Sequence, residues 1–228
     1  MKMLDASGFL EVEGYGSLFS DIDGLMAVLR ENNLSMTSSH IGLDMIEADP
    51  TGTVAIAKKL GISKAFVPFV GPDDRPTDTA GWRAFGKRLS IAGQPLREAG
   101  LIFGWHNHAF EFDMTPEGDI PLDLIMDAAD DLMLEIDLGW VRVAGHDPVH
   151  WINKYAGRIT AAHVKDIAPD GECAAEDGWA DVGHGIMDWP AIHTALQVAG
   201  VDHYVLEHDN PKDDKRFASR SLASVKAF

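Results

Sequence analysis

Three observations predict an α/β fold, a (β/α) barrel. Strand-like and helix-like segments alternate along the whole chain of 228 residues, the pattern of a parallel sheet. Helical segments stop on residues that tolerate left-handed backbone, at Gly8, Asn33, Gly61, Gly100, Gly157 and Gly200. Polar side chains gather at the carboxyl ends of strands: Glu13, His40, His106 with His108, Asp137, His163 and Glu207. In a barrel that end carries the active site. A doubly wound open sheet would concentrate ligands at one switch point, so polar ends on six strands favour the barrel.

The elements follow in order. Residues 1–8 read as the last turn of a helix, and residues 9–12 as a short strand ending at Glu13. Residues 20–32 have Ile22, Leu25, Met26 and Leu29 at helical spacing, with Ser20 placed to cap. Residues 34–39 form a strand ending at His40, residues 49–60 a helix, and residues 65–70 a strand. A longer helix, 79–99, contains Pro95, which should kink it or split off a final turn. The strand 101–108 ends on two histidines, and residues 109–120 read as an excursion of hairpin type before a helix at 121–129. The strand 132–137 runs into a loop, then a helix at 148–155. The strand 159–164 delivers His163, Lys165 and Asp166, with His163 and Lys165 on one side. A loop over residues 167–185 is long enough to expect a functional role. A helix at 189–198, a strand at 203–207 and a helix at 215–227 complete the chain.

The strands number seven, starting near residues 9, 34, 65, 101, 132, 159 and 203, where a closed barrel has eight. The first β/α unit is therefore expected to be lacking or shortened. Two strand edges would then need cover, and a homo-oligomer is one way to supply it. No linker or repeat interrupts residues 1–228, which read as a single domain.

Composition bounds the function. Hydrophobic residues make up 46% and charged residues 24%, the range of globular proteins. A net charge of −17 argues against a nucleic-acid backbone or an anionic membrane as partner. Cys173, the one cysteine, lies in a polar loop without a thiol-activating pattern. No apolar run reaches the length of a membrane span, and the N-terminus lacks the apolar stretch of a signal peptide, so a cytoplasmic protein is expected.

Asp137, His163 and Glu207 end three strands and form a ligand set for a divalent metal: Mn²⁺, Mg²⁺, Co²⁺ or Zn²⁺. The lack of thiols disfavours a structural zinc. A fourth ligand is expected from the block 101–111; Glu111 is chosen, with His106 and His108 competing.

The blocks W-H-N-H-A-F-E-F, E-I-D-L-G-W, A-H-V-K-D, V-G-H-G-I-M-D-W and V-L-E-H-D, in this order, resemble the sugar phosphate isomerase/epimerase family with its xylose-isomerase-like barrel. G-F-L-E-V-E-G-Y and S-S-H-I-G-L-D fit its early strands. Relatives include ketose epimerases, hydroxypyruvate isomerase and inosose dehydratase. The resemblance implies a metal held by Glu111, Asp137, His163 and Glu207, and proton transfer beside the carbonyl of a sugar or keto-polyol through an enediolate. Glu207, Glu111 and His108 become the candidate catalytic acids and bases, and His40, His106 and Lys165 the candidate substrate-binding residues. His106 and Trp140 depart from the pattern, standing where many epimerases have a glutamate and a histidine. That departure leaves a metal-dependent dehydratase as a second expectation, and a non-catalytic sugar-binding barrel as a third. His184 is expected at the mouth, and Trp105, Trp140 and Trp179 as an apolar wall.

Overall fold

The computed structural model describes residues 1–228. In chain order come α1 (Lys2–Ser7), β1 (Glu11–Tyr15), α2 (Ile22–Glu31), β2 (Ser35–His40), α3 (Leu43–Ala48), α4 (Pro50–Leu60) and β3 (Lys64–Val67). Then come α5 (Thr79–Glu98), β4 (Ile102–His106), α6 (Pro121–Asp127), β5 (Met133–Asp137), α7 (Leu138–Val143) and α8 (Pro148–Lys154). The chain closes with β6 (Ile159–Val164), β7 (Asp166–Ile167), β8 (Trp179–Ala180), α9 (Trp189–Val198), β9 (Tyr204–Leu206) and α10 (Asp214–Val225). β1 to β6 and β9 are the seven parallel strands that the apolar runs predict. The chain divides inside β5 into two compact units, one of residues 10–135 with Met1, the other of residues 2–9 and 136–228.

In the first unit β1 to β5 lie side by side in sequence order, all parallel. Across the strands Tyr15 faces His40, His40 faces Phe66, Phe66 faces Gly104, and Gly104 faces Met133, with one register shift in β1 between Glu11 and Glu13. His106 consequently stands level with Glu135. Met36, Phe66, Leu89, Leu96, Phe103 and Trp105 fill the core beneath, each at most 1% exposed.

In the second unit β6 and β9 are parallel, with His163 level with Val205. β7 and β8 form a small antiparallel ladder, Asp166 to Ala180 and Ile167 to Trp179. Leu138, Val141, Trp151, Ile152, Ala162 and Val182 are buried there, and α1 packs on α10.

Several local expectations change. Asp21, not Ser20, caps α2, because a 3-10 turn over Gly16–Asp21 precedes the helix. A separate α3 stands before α4, which Asp49 caps and Pro50 opens. α5 continues as one helix past Pro95. The expected hairpin over 109–120 is a single 3-10 turn, Phe110–Phe112. The loop expected after Asp137 is helical, because Asp137 caps it. The loop 167–185 contains β7's end and β8.

Candidate functional site

In the second unit the polar strand ends converge. Asp137, the last residue of β5, uses Oδ1 to accept the Trp140 N–H at 2.8 Å, the cap that starts α7. That bond turns its other oxygen, Oδ2, to 3.9 Å from His163 Nδ1 and 3.4 Å from Lys165 Nζ. Glu207 follows β9, and its Oε2 lies 2.8 Å from both His163 Nδ1 and Lys165 Nζ. Lys165 also donates to Asp209 Oδ1 at 2.8 Å. His163 lies near the end of β6 and Lys165 directly follows it, and both are buried.

Charge here is set by burial and by the lysine. Burial raises Asp137 above its ordinary value, against the pull of Lys165 and His163. Burial acts to lower Lys165, but Asp137, Glu207 and Asp209 outweigh it and hold the ammonium above the usual lysine range. Glu207 is also lifted by burial, yet His163 and Lys165 overcome this and keep it ionised.

One ligand atom each from Asp137, His163 and Glu207 lies within 4.8 Å of the others. Two carboxylates and an imidazole suit a divalent ion of hard to borderline character. The residues present therefore fit a divalent metal.

Asp166 organises the loop beside this set. Its carboxylate accepts five bonds: backbone N–H of Ile167, Gly183, Gly185 and Met187, and Trp189 Nε1, at 2.8–3.2 Å. A Cβ on Gly185 would collide with Asp166 Oδ1, so the loop can wrap this closely only around glycine. Farther along, Arg216 and Arg220 of α10 hold Asp181, and Arg216 also holds Glu176. The loop returns through β8, which sets Trp179 edge-on to Trp140 with ring centroids 4.9 Å apart. Lys165 Nζ lies 4.8 Å and 5.3 Å from the centres of those two rings. Its stem passes Gly139, where an added Cβ would sit 2.9 Å from Lys165 Cβ. His184 is exposed in this loop.

The first unit gathers its own polar groups at the same ends of its strands. His40 Nε2 lies 2.6 Å from Glu135 Oε2 and 3.3 Å from Glu13 Oε2. His106 Nδ1 lies 3.2 Å from the same Glu135 oxygen. Glu135 is fully buried and His106 nearly so. The His108 ring is edge-on to His106 and stacked on Phe110, beside which Arg75 lies 3.5 Å from the ring centre.

Glu111, expected to supply the fourth metal ligand, stands in the first unit. Glu111 is fully buried; Oε1 accepts from Trp105 Nε1 at 3.0 Å, and Oε2 from the His108 N–H at 2.8 Å. Burial pushes its pKa up to about 8, so it carries a proton at neutral pH. Trp105 likewise belongs to the core of the first unit, against Phe85, leaving Trp140 and Trp179 as the wall. Lys165 is buried among carboxylates rather than solvated.

Glu135 is the residue that sequence reasoning missed. It lies two positions before Asp137, inside an otherwise apolar strand. A carboxylate inside an apolar strand is itself the signal, because such a group is buried only with a partner.

A family model described as xylose isomerase-like TIM barrel matches residues 20–227. An inosose dehydratase of Lacticaseibacillus casei is 28% identical over 148 residues, which cover 59% of this chain and 49% of that protein. The chain thus spans about half the length of the curated relatives it matches. A crystal structure of a sugar phosphate isomerase/epimerase from Parabacteroides distasonis superposes with a TM-score of 0.83 at 20% identity, covering 99% of this chain and 86% of that one. The 3-keto-D-glucoside 4-epimerase of E. coli superposes at 0.69 with 16% identity, over 100% of this chain and 95% of that one. These likenesses show the fold.

Proposed function

The chain belongs to the xylose isomerase-like TIM barrel family, and from that premise we propose that it is a divalent-metal-dependent isomerase or epimerase of a sugar or sugar-like keto-polyol. The observation that carries the proposal is the convergence of Asp137, His163 and Glu207 within 4.8 Å at successive strand ends. These three would hold the ion, Mn²⁺, Mg²⁺, Co²⁺ or Zn²⁺. Once bound, such an ion supplies Lewis acidity, polarising a carbonyl oxygen so that the neighbouring C–H becomes acidic.

The chain's own residues do the rest. Lys165, held charged by three carboxylates, donates to a substrate oxygen as it gains negative charge. Trp140 and Trp179 pack on the C–H face of the polyol and exclude water. Glu207 remains ionised and takes the α-proton on its carboxylate. His108 and Glu111 are the groups proposed to return a proton, His108 at its ring and Glu111 as a carboxylic acid at neutral pH. His40 and His106 bind substrate hydroxyls. Residues 1–228 act as one barrel domain; cytoplasmic residence and assembly with further copies belong to the same proposal.

A second reading, loss of a β-hydroxyl after the same deprotonation, is favoured by the inosose dehydratases among the sequence relatives. Metal-loaded protein incubated with keto-sugars and inososes in D₂O tests both. Deuterium incorporated without a change in composition supports isomerisation or epimerisation, and loss of one water supports dehydration. Tight sugar binding with neither would leave a non-catalytic binding barrel. Failure of the protein to retain metal, with no exchange in any substrate, would sink the proposal.

A further inference from the structure

We propose that two copies of this chain pair through α5, laid antiparallel across a two-fold axis at Ile91. The inference gives the proposed assembly a face and does not depend on the reaction.

The outward stripe of α5 follows from its burial. Ala84, Lys87, Arg88, Ile91, Gln94 and Glu98 recur at helical spacing and are all exposed. Ile91 stands midway along that stripe with 73% of its surface exposed. Beside it runs a groove of about 550 Å³ between α5 and the corner of α3 and α4, walled by Ile46, Pro50, Ala84, Ala92 and Pro95. The isoleucine is a knob next to a hole, and a two-fold axis fills both holes at once.

Charge selects the occupant. Each copy carries −17, so two copies repel wherever acidic surfaces meet and can join only where that sign is relieved. On α5 it is relieved: Arg83, Lys87, Arg88 and Arg97 stand against one carboxylate, Glu98. Arg88 is satisfied by a bidentate pair with Glu47, both bonds at 2.7 Å, and Arg97 by Asp131. Arg83 and Lys87 have no ion partner in their own chain. These cations occupy the first half of the stripe and Glu98 its end. Antiparallel pairing about Ile91 sets Glu98 opposite the partner's Ala84, between the partner's Arg83 and the partner's Lys87. The axis repeats that contact on its other side. Parallel helices in register would instead set lysine on lysine.

Pro95 supplies a second mark. It has no N–H to give to the carbonyl of Ile91, four residues back, and that carbonyl sits on the stripe. Lys87 precedes the axis by as many residues as Pro95 follows it. The lysine of one copy therefore stands level with the proline of the other, where its ammonium donates to the free carbonyl.

The test is the oligomeric state of the full chain at micromolar concentration, by light scattering and sedimentation equilibrium. Wild type is expected as a dimer and Ile91→Arg as a monomer, with far-ultraviolet circular dichroism unchanged because the side chain is exposed. Glu98→Arg should weaken the dimer by more than about tenfold, since like charges then meet. Adding Arg83→Glu and Lys87→Glu to Glu98→Arg should restore it, because the charges are exchanged. A monomeric wild type overturns the proposal and leaves the groove to a different molecule. A dimer that Ile91→Arg does not split forms on another face and overturns it too, as does a charge exchange without rescue. Species that keep growing with concentration mean a head-to-tail contact and overturn the two-fold. Deuterium exchange catalysed by a monomeric wild type would sink this interface and leave the function standing. A dimer split by Ile91→Arg, with no exchange in any substrate, would do the reverse.

Discussion

The two units each bury carboxylates at strand ends, and they treat the charge differently. In the second unit Asp137 and Glu207 share Lys165, a cation that those carboxylates keep charged. In the first unit Glu135 meets the imidazoles of His40 and His106, and Glu111 meets Trp105 and a backbone N–H. The first arrangement surrounds an ammonium with carboxylates. The second sets carboxylates against imidazole, indole and backbone N–H. The same residue type thus meets a different partner depending on what the neighbouring strand supplies.

The strongest way to break this contrast is to remove the lysine. Lys165→Met leaves Asp137 and Glu207 with only His163 between them and should cost about 3 kcal/mol of stability, read from urea denaturation. Added Mn²⁺ should restore part of the loss, because an ion replaces the missing charge. An unchanged midpoint would refute the role given to Lys165.

Glu111→Gln sharpens the contrast from the other side. Because burial raises Glu111 from 4.5 to about 8, the fold binds its proton more tightly than the unfolded chain does. The associated stability is full below about 4.5 and is lost as pH rises through about 8. The glutamine variant, which cannot ionise, should flatten the fall in stability across that window by a few kcal/mol. An identical pH slope in both proteins would mean that Glu111 is ionised in the fold.

A smaller effect separates charge from scaffolding. Asp166→Ala removes an acceptor of five hydrogen bonds and should destabilise by about 2 kcal/mol, with faster proteolytic cleavage within residues 181–189. If cleavage is unchanged, the loop is held by its other contacts. The least effect belongs to Arg220→Ala. Its half-exposed ion pair with Asp181 should contribute under about 1 kcal/mol, vanishing at high salt.

Much of this was legible in the sequence for a local reason. An apolar run ending in a polar residue marks a strand and its functional end without any knowledge of neighbours. The starts of all seven strands, and the grouping of Asp137, His163 and Glu207, follow from that pattern. α7 was missed because Leu138–Val143 is short, holds a glycine and two valines, and depends on a cap from the residue already assigned to metal. The burial of Glu111 was not legible because the partners of its carboxylate, Trp105 and the His108 N–H, are set by a 3-10 turn that reads in sequence as a hairpin. Glu135 carried a signal as a carboxylate in an apolar strand, but its partner His106 needed the register of β4 against β5, which no single strand encodes.

The passage of the Lys165 stem over Gly139 has an evolutionary consequence. A methyl at 139 would meet three carbons of that side chain at 2.9–3.1 Å. Neither position can drift alone: a larger residue at 139 presses on the Lys165 stem from Cβ to Cδ, and a shortened 165 no longer neutralises Asp137. The pair is therefore epistatic. A mutational library built one position at a time would find both sites immutable, while a library varying both could reach sequences in which a bound ion has taken over the lysine's charge.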